Sequence, residues 1–246
     1  MMNGMQNHIS SAFDRDLEGI QARIMKMGGL VEQAILDSAQ ALETRDPELA
    51  EKVRNGDKAI DDLEELLNEE AARVIALRAP TAIDLRVILS VMRISATLER
   101  IGDLAKNLAK RNAVLMTMPQ INGSASQLRR MSRDVQRMLK DALDAYIQRD
   151  DALARDVIER DVDIDQMYNT LFREFLTFML EDPRNITPCM HLHFIAKNVE
   201  RMGDHVTSIA EQVVFLVTGE KPEEPRQKDD VTSTDADLSA TPVPGA

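Results

Sequence analysis

Tryptophan is absent from this chain of 246 residues, and Phe, Trp and Tyr together make up only 3% of it. Sheet cores draw on aromatic and β-branched side chains, so this shortage argues against a β protein. A single cysteine, Cys189, excludes an intramolecular disulfide and suits a reducing compartment. It sits among apolar helix positions, as a packing residue rather than a nucleophile. The opening MMNGMQNHISSAF has neither a basic n-region nor an apolar h-region, so no signal peptide is expected. No apolar run approaches the ~18–20 residues of a membrane span, and any work at a membrane goes through a partner. Basic residues are also short: 30 Lys and Arg face 42 Asp and Glu, a net charge of −12. A nucleic-acid binder needs a basic face, so that class is set aside, and the acidic excess reads as solubility.

What is abundant is Ala, Leu, Glu, Asp, Arg and 14 Met, a helix-forming set. Apolar residues recur with heptad-like spacing. Phe13, Leu17, Ile20, Ile24, Met27, Val31 and Ala34 mark a first helix. Leu49, Val53, Ile60, Leu63, Leu67 and Val74 mark a second, and Ile94, Leu98, Ile101, Ala105 and Leu108 a third. The pattern then returns. A shift of 104 aligns Leu128, Met131 and Val135 with Ile24, Met27 and Val31, and a shift of 101 aligns Ile195, Val199 and Met202 with Ile94, Leu98 and Ile101. The chain is therefore expected to be all-α, two tandem antiparallel three-helix bundles from an internal duplication. The expected boundaries are a tip at 1–12, bundles at 13–116 and 126–219, and a Pro/Gly/Ser-containing linker at 117–125. From 220 to 246 an acidic, Pro-rich stretch has little to bury and reads as a disordered tail.

Punctuation fits this plan. Asp46 is an N-cap followed by Pro47, and Asp150 takes the same place in the second copy. Thr81 with Asp84 resembles a capping box opening the third helix, and Thr187-Pro188 opens the sixth in the same style.

Two stretches, LERIGD at 98–103 and VERMGD at 199–204, place Glu and Asp four apart with Gly just before the Asp. Gly costs ~1 kcal/mol in a helix interior, and like charges one turn apart add to that. One such motif means little in so acidic a chain. The hairpins change the weighing, because residues equidistant from a turn lie at one height. Asp61 and Glu99 are each 19 residues from Pro80, and Asp57 and Asp103 are each 23. In the second copy, Asp165 and Glu200 lie 17 residues either side of the Asp182-Pro183 step, and Asp161 and Asp204 lie 21. On a helical wheel all eight fall on a flank, off the core stripe. Carboxylates ~6 Å apart repel by roughly 3 kcal/mol per pair at an effective dielectric of 20. Either solvent and counter-ions screen them, or a multivalent cation binds. An all-carboxylate set suits hard ions such as Mg, Mn, Ca or Fe. His193, seven residues before Glu200, is either an extra ligand or a surface residue.

Further stretches join these motifs in order: MKMGGLVEQ at 25–33, GDK followed by Asp61 at 56–61, RAPTAIDLR at 78–86, LERIGDLAKN at 98–107 and MLEDPRN at 179–185. Over residues 8–219 the chain resembles the PhoU family of accessory regulators of bacterial high-affinity phosphate uptake. The resemblance implies multinuclear metal sites on Asp57, Asp61, Glu99, Asp103, Asp161, Asp165, Glu200 and Asp204, holding divalent or iron-type ions (Mg, Mn, Fe or Zn). It implies an adaptor that restrains uptake and keeps the phosphate-starvation response off. The implied partners are a membrane sensor histidine kinase, the ATPase subunit of the phosphate ABC transporter and a second copy of the chain in a homodimer. The implied location is cytoplasmic, reaching the membrane through those partners. Family members often read GDHxxN after the Glu. Here Leu104 replaces that His while Asn107 is kept, and the second copy keeps His205 but has Ser208 in place of Asn. The two sites therefore need not bind equally.

Helix 4 opens with Arg130, Arg133, Arg137 and Lys140, either a docking face for an acidic partner or anionic lipid, or a solvated face. The RAPTAIDLR turn also carries two readings: Asp84 and Arg86 as partner-binding residues, or Asp84 closing the cap on Thr81 with Arg86 left for a partner. The alternative function is a carboxylate-bridged metalloenzyme on a helical bundle. Ferritin-like sites need Glu-x-x-His, and none of His8, His191, His193 and His205 has a Glu three residues before it. No Ser/His/Asp grouping or phosphate-cradling Gly loop is present either, so an enzyme is not expected.

Overall fold

A computed structural model describes the backbone of residues 2–80 and 82–220, with the side chains of 13, 15–80 and 83–220. The tail expected beyond Glu220, and the capping role of Thr81, lie outside the described residues. Among the described residues six α-helices form: α1 Met2–Thr44, α2 Pro47–Arg78, α3 Ala82–Leu115, α4 Ser124–Gln148, α5 Asp151–Glu181 and α6 Ile186–Thr218. There is no strand among the described residues, and the architecture is the duplicated pair of three-helix bundles. The backbone of 2–12 continues α1.

The duplication extends to the turns. Arg45 and Arg149, 104 residues apart, both take left-handed backbone conformations, with φ of 54° and 56°. Each reverses the chain so that the next residue can cap the following helix. Asp46 accepts from the Leu49 N–H, and Asp150 from the Leu153 N–H, both at 3.0 Å. Such caps contribute ~1 kcal/mol each. The start of α6 differs from expectation. Asp182 caps a single 3₁₀ turn, Pro183–Asn185, and α6 then begins at Ile186, so Pro188 lies inside its first turn. Pro is tolerated there because the first-turn N–H groups have no intrahelical acceptor.

The aligned apolar positions form the core. Ile24 and Leu128, Met27 and Met131, and Val31 and Val135 are all fully buried. One continuous cluster runs from Ile20 to Leu216 and takes residues from both repeats. Within each repeat the second and third helices pack as a hairpin; between repeats α1 packs on α4 and α3 on α6. Each inter-repeat contact thus pairs a helix with its own duplicate. Gln136 donates to Glu32 at 2.6 Å, and these two positions are 104 apart, so the pseudo-two-fold axis passes between them. On the other side, Arg93 donates to Gln212 at 3.2 Å and the Arg111 guanidinium lies 4.6 Å from the Phe194 ring. These contacts make α3 and α6 antiparallel, and midway between them Gly102 lies level with Gly203.

Candidate functional site

The first acid cluster is built across the α2–α3 hairpin. Asp57 on α2 is 4% exposed, and Asp103 on α3 is half-buried. The Lys106 ammonium bridges them, donating to Asp57 Oδ2 and to Asp103 Oδ1 at 3.2 Å. The other Asp57 oxygen, Oδ1, is buried without a hydrogen-bond partner. A Cβ at Gly102 would stand 3.1 Å from Ile60 Cδ1, which would have to give slightly, and 3.8 Å from Asp57 Oδ1, an ordinary contact. Asp61 and Glu99 complete the group. Partial desolvation raises the Asp61 carboxyl above its usual range, and the negative fields of Asp57 and Asp103 add to this against Lys106. Burial raises Glu99, with Asp103, Asp61, Glu64 and Asp57 contributing further. The four acids therefore share one electrostatic neighbourhood, as their heights predict.

The second cluster is deeper. Asp161 and Asp165 on α5 are each 1% exposed and Glu200 on α6 is 2% exposed, with Asp204 half-buried. A Cβ at Gly203 would come within 2.9 Å of Asp161 Oδ1, so only glycine lets α6 approach this acid undisturbed. Lys197 donates to Glu200 Oε1 at 2.9 Å and lies 4.8 Å above the Tyr168 ring. Glu200 Oε2 is buried with no hydrogen-bond partner. Burial raises the Glu200 carboxyl; Lys197 opposes this, and the fields of Asp204 and Asp165 reinforce it. His205 is pushed down, first by burial and then by the Arg100 charge from the other repeat.

Burial corrects the flank assignment. Asp57, Asp161, Asp165 and Glu200 lie inside the hairpin seams, because the face that a helix turns toward its hairpin partner is wider than the core stripe alone. His193 is half-buried beside the rings of Tyr168, Phe172 and Phe194, with centroids 5.3–5.9 Å away. Among the described residues no three His, Cys, Asp or Glu side chains converge tightly enough to chelate an ion. The donor chemistry nonetheless fits a hard cation. The set is all oxygen, and Asp57 and Glu200 each keep one buried oxygen without a hydrogen-bond partner. Neither lysine was assigned to the sites from sequence. Lys106 stands three residues after Asp103 and Lys197 three before Glu200, a helix-neighbour spacing that could have found both.

Arg86 is not free: its guanidinium lies 5.5 Å from the Phe215 ring and packs against Gly219. Asp84 is exposed in the first turn of α3. On α4, Arg130, Arg133 and Arg137 are exposed; Arg137 pairs with Asp134 at 3.3 Å and Lys140 with Asp144 at 2.5 Å. Cys189 is a buried free thiol, raised by burial, as a packing residue would be.

The PhoU domain model matches twice, at residues 24–111 and 128–213. A phosphate-specific transport system accessory protein PhoU homolog from Rhizobium meliloti is 48% identical over 227 residues, covering 92% of this chain and 96% of its own. The homolog of the same name from Pseudomonas aeruginosa is 38% identical, covering 88% and 90%. The crystal structure of PhoU from Pseudomonas aeruginosa superposes with a TM-score of 0.82 at 38% identity, covering 85% of this chain and all of that one. The phosphate transport system regulatory protein PhoU from Streptococcus pneumoniae gives 0.79 at 29% identity, covering 86% of this chain and all of that one. These names describe accessory and regulatory proteins, not enzymes. With both halves matched and both hairpins carrying the same acid motif, the chain belongs to the PhoU family.

Proposed function

We propose that this protein is a negative regulator of the phosphate-starvation response, coupling a phosphate ABC transporter to a sensor histidine kinase and restraining uptake. Its relatives are named as accessory proteins of a phosphate-specific transport system, which supports a role in phosphate transport. No helix among the described residues is long and apolar enough to cross a membrane, so contact with a transporter would be made by binding. The observation that carries the metal part of the reading is the pair of unsatisfied buried carboxylate oxygens, Asp57 Oδ1 and Glu200 Oε2. Divalent or iron-type ions at the two clusters would neutralise the carboxylates and fix the hairpins. Asp57, Asp61, Glu99 and Asp103 would hold one site, and Asp161, Asp165, Glu200 and Asp204 the other. The exposed arginines of α4, Arg130 and Arg133 foremost, offer a surface for an acidic partner. Regulation then works by differential affinity: the protein stabilises the kinase's non-signalling state when the transporter's conformation makes it available. The test is deletion of the gene in its native host with a phosphate-starvation reporter in high phosphate. The reporter is expected to switch on; a reporter that stays off would remove the negative-regulator reading.

A further inference from the structure

Both acid clusters carry a lysine, and the duplication does not account for it. The position equivalent to Lys106 in the second repeat is Thr207, and that equivalent to Lys197 in the first is Ala96. The two lysines reach their clusters from opposite directions along the helix, Lys106 from beyond Asp103 and Lys197 from before Glu200. Lys106 spans the hairpin, touching Asp57 on α2 and Asp103 on α3. Lys197 holds Glu200. In each case the ammonium takes one oxygen of a buried carboxylate, Asp57 or Glu200, while the other has no hydrogen-bond partner. A lone ammonium therefore satisfies only part of each cluster's capacity for positive charge.

We propose that Lys106 and Lys197 are tethered competitors for the divalent cation of their clusters, which a metal ion must displace before it can bind. This rests on the metal reading above. In the metal-free protein each ammonium offsets the mutual repulsion of its acids, and Lys106 also ties α2 to α3. A dication entering the cluster attracts the carboxylates more strongly and repels the ammonium, which moves into solvent with its proton. Metal loading is thereby coupled to the release of a positive side chain beside each hairpin, a charge change that a partner surface can read. Because the lysines sit at unlike positions, the two clusters are set to different affinities.

Mn²⁺ is the probe, with free hexaaqua Mn²⁺ counted by electron paramagnetic resonance in titrations of the full chain. Lys106→Gln is expected to tighten one class of sites by about tenfold or more, since one repelling charge is gone. Lys106→Arg, which keeps the charge, is expected to stay near the parent. Parent binding with Lys106→Gln unchanged or weaker would overturn the competitor assignment and leave the metal reading standing. No Mn²⁺ uptake by parent or variants would overturn both. Should Lys106→Gln fail to fold without metal, reductive methylation of the parent read by mass spectrometry gives an independent answer. Mn²⁺ is expected to raise labelling of Lys106 and Lys197 several-fold relative to exposed Lys110. Equal labelling with metal and with chelator would refute displacement.

Discussion

Glu200 concentrates the electrostatic problem of the fold in one side chain. It is 2% exposed, holds Lys197 through one oxygen, and faces Asp204 and Asp165. Its native carboxyl is raised from 4.5, so the folded, metal-free protein binds this proton more tightly than the unfolded chain does. Stability then falls as pH rises from 4.5 through the raised native value, and levels off above it. Urea denaturation in chelator between about pH 4 and about pH 8 should reveal this slope, and Glu200→Gln should flatten it. A parent and variant with parallel pH profiles would mean that Glu200 is not the group responsible. The heights of the eight acids were legible from the sequence because hairpin arithmetic needs only positions. Their burial was not. A wheel places Asp161 and Asp165 beside the core stripe, but only the packed hairpin shows α6 approaching Asp161 so closely at Gly203. The lysines were missed for a related reason: a cation among acids reads as a surface pair until one end of it is buried.

At the scale of the helix, two adjacent glycines test how elements meet. Gly28 of α1 faces α4, where an added Cβ would overlap Leu143 Cδ1; Gly29 has nothing within 4 Å. Gly29→Ala gains helix propensity at no steric cost and should stabilise the protein by up to ~1 kcal/mol. Gly28→Ala gains the same propensity but forces Leu143 from a fully packed site, which typically costs 1–3 kcal/mol. The expected outcome is a higher melting temperature for Gly29→Ala and a lower one for Gly28→Ala. Equal shifts would mean that Leu143 yields to the added methyl group at no cost. The heptad stripes and the caps at Asp46 and Asp150 were readable, since each rests on local periodicity or a single hydrogen bond. The left-handed Arg45 and Arg149 were not, because Arg has no preference for φ > 0. Their recurrence 104 residues apart is the signal that could have marked them. The start of α6 was misjudged because Thr187-Pro188 imitates an opening that Asp182-Pro183 already supplies through its 3₁₀ turn.

At the scale of the whole molecule, the sequence pattern showed two units but not that they share one core. An apolar stripe tells which side of a helix is buried, not which neighbour buries it. The cluster from Ile20 to Leu216 leaves no apolar boundary between the repeats. Heat or denaturant should therefore melt both repeats in a single two-state transition, with calorimetric and van't Hoff enthalpies equal. Two resolved transitions would mean that the α1–α4 and α3–α6 seams are weaker than the bundles they join.

The pairing of each helix with its own duplicate has an evolutionary consequence. Glu32 meeting Gln136, and Gly102 lying level with Gly203, are the contacts that two half-length chains would make across a true two-fold axis. The protein has the geometry of a homodimer whose subunits have been joined end to end. In a real homodimer every change appears twice, so a lysine added to one acid cluster is added to both. Once the halves are covalently joined, Lys106 can arise opposite Thr207, and Lys197 opposite Ala96, each without its mirror image. Joined halves leave the two acid clusters free to differ, as their lysines do.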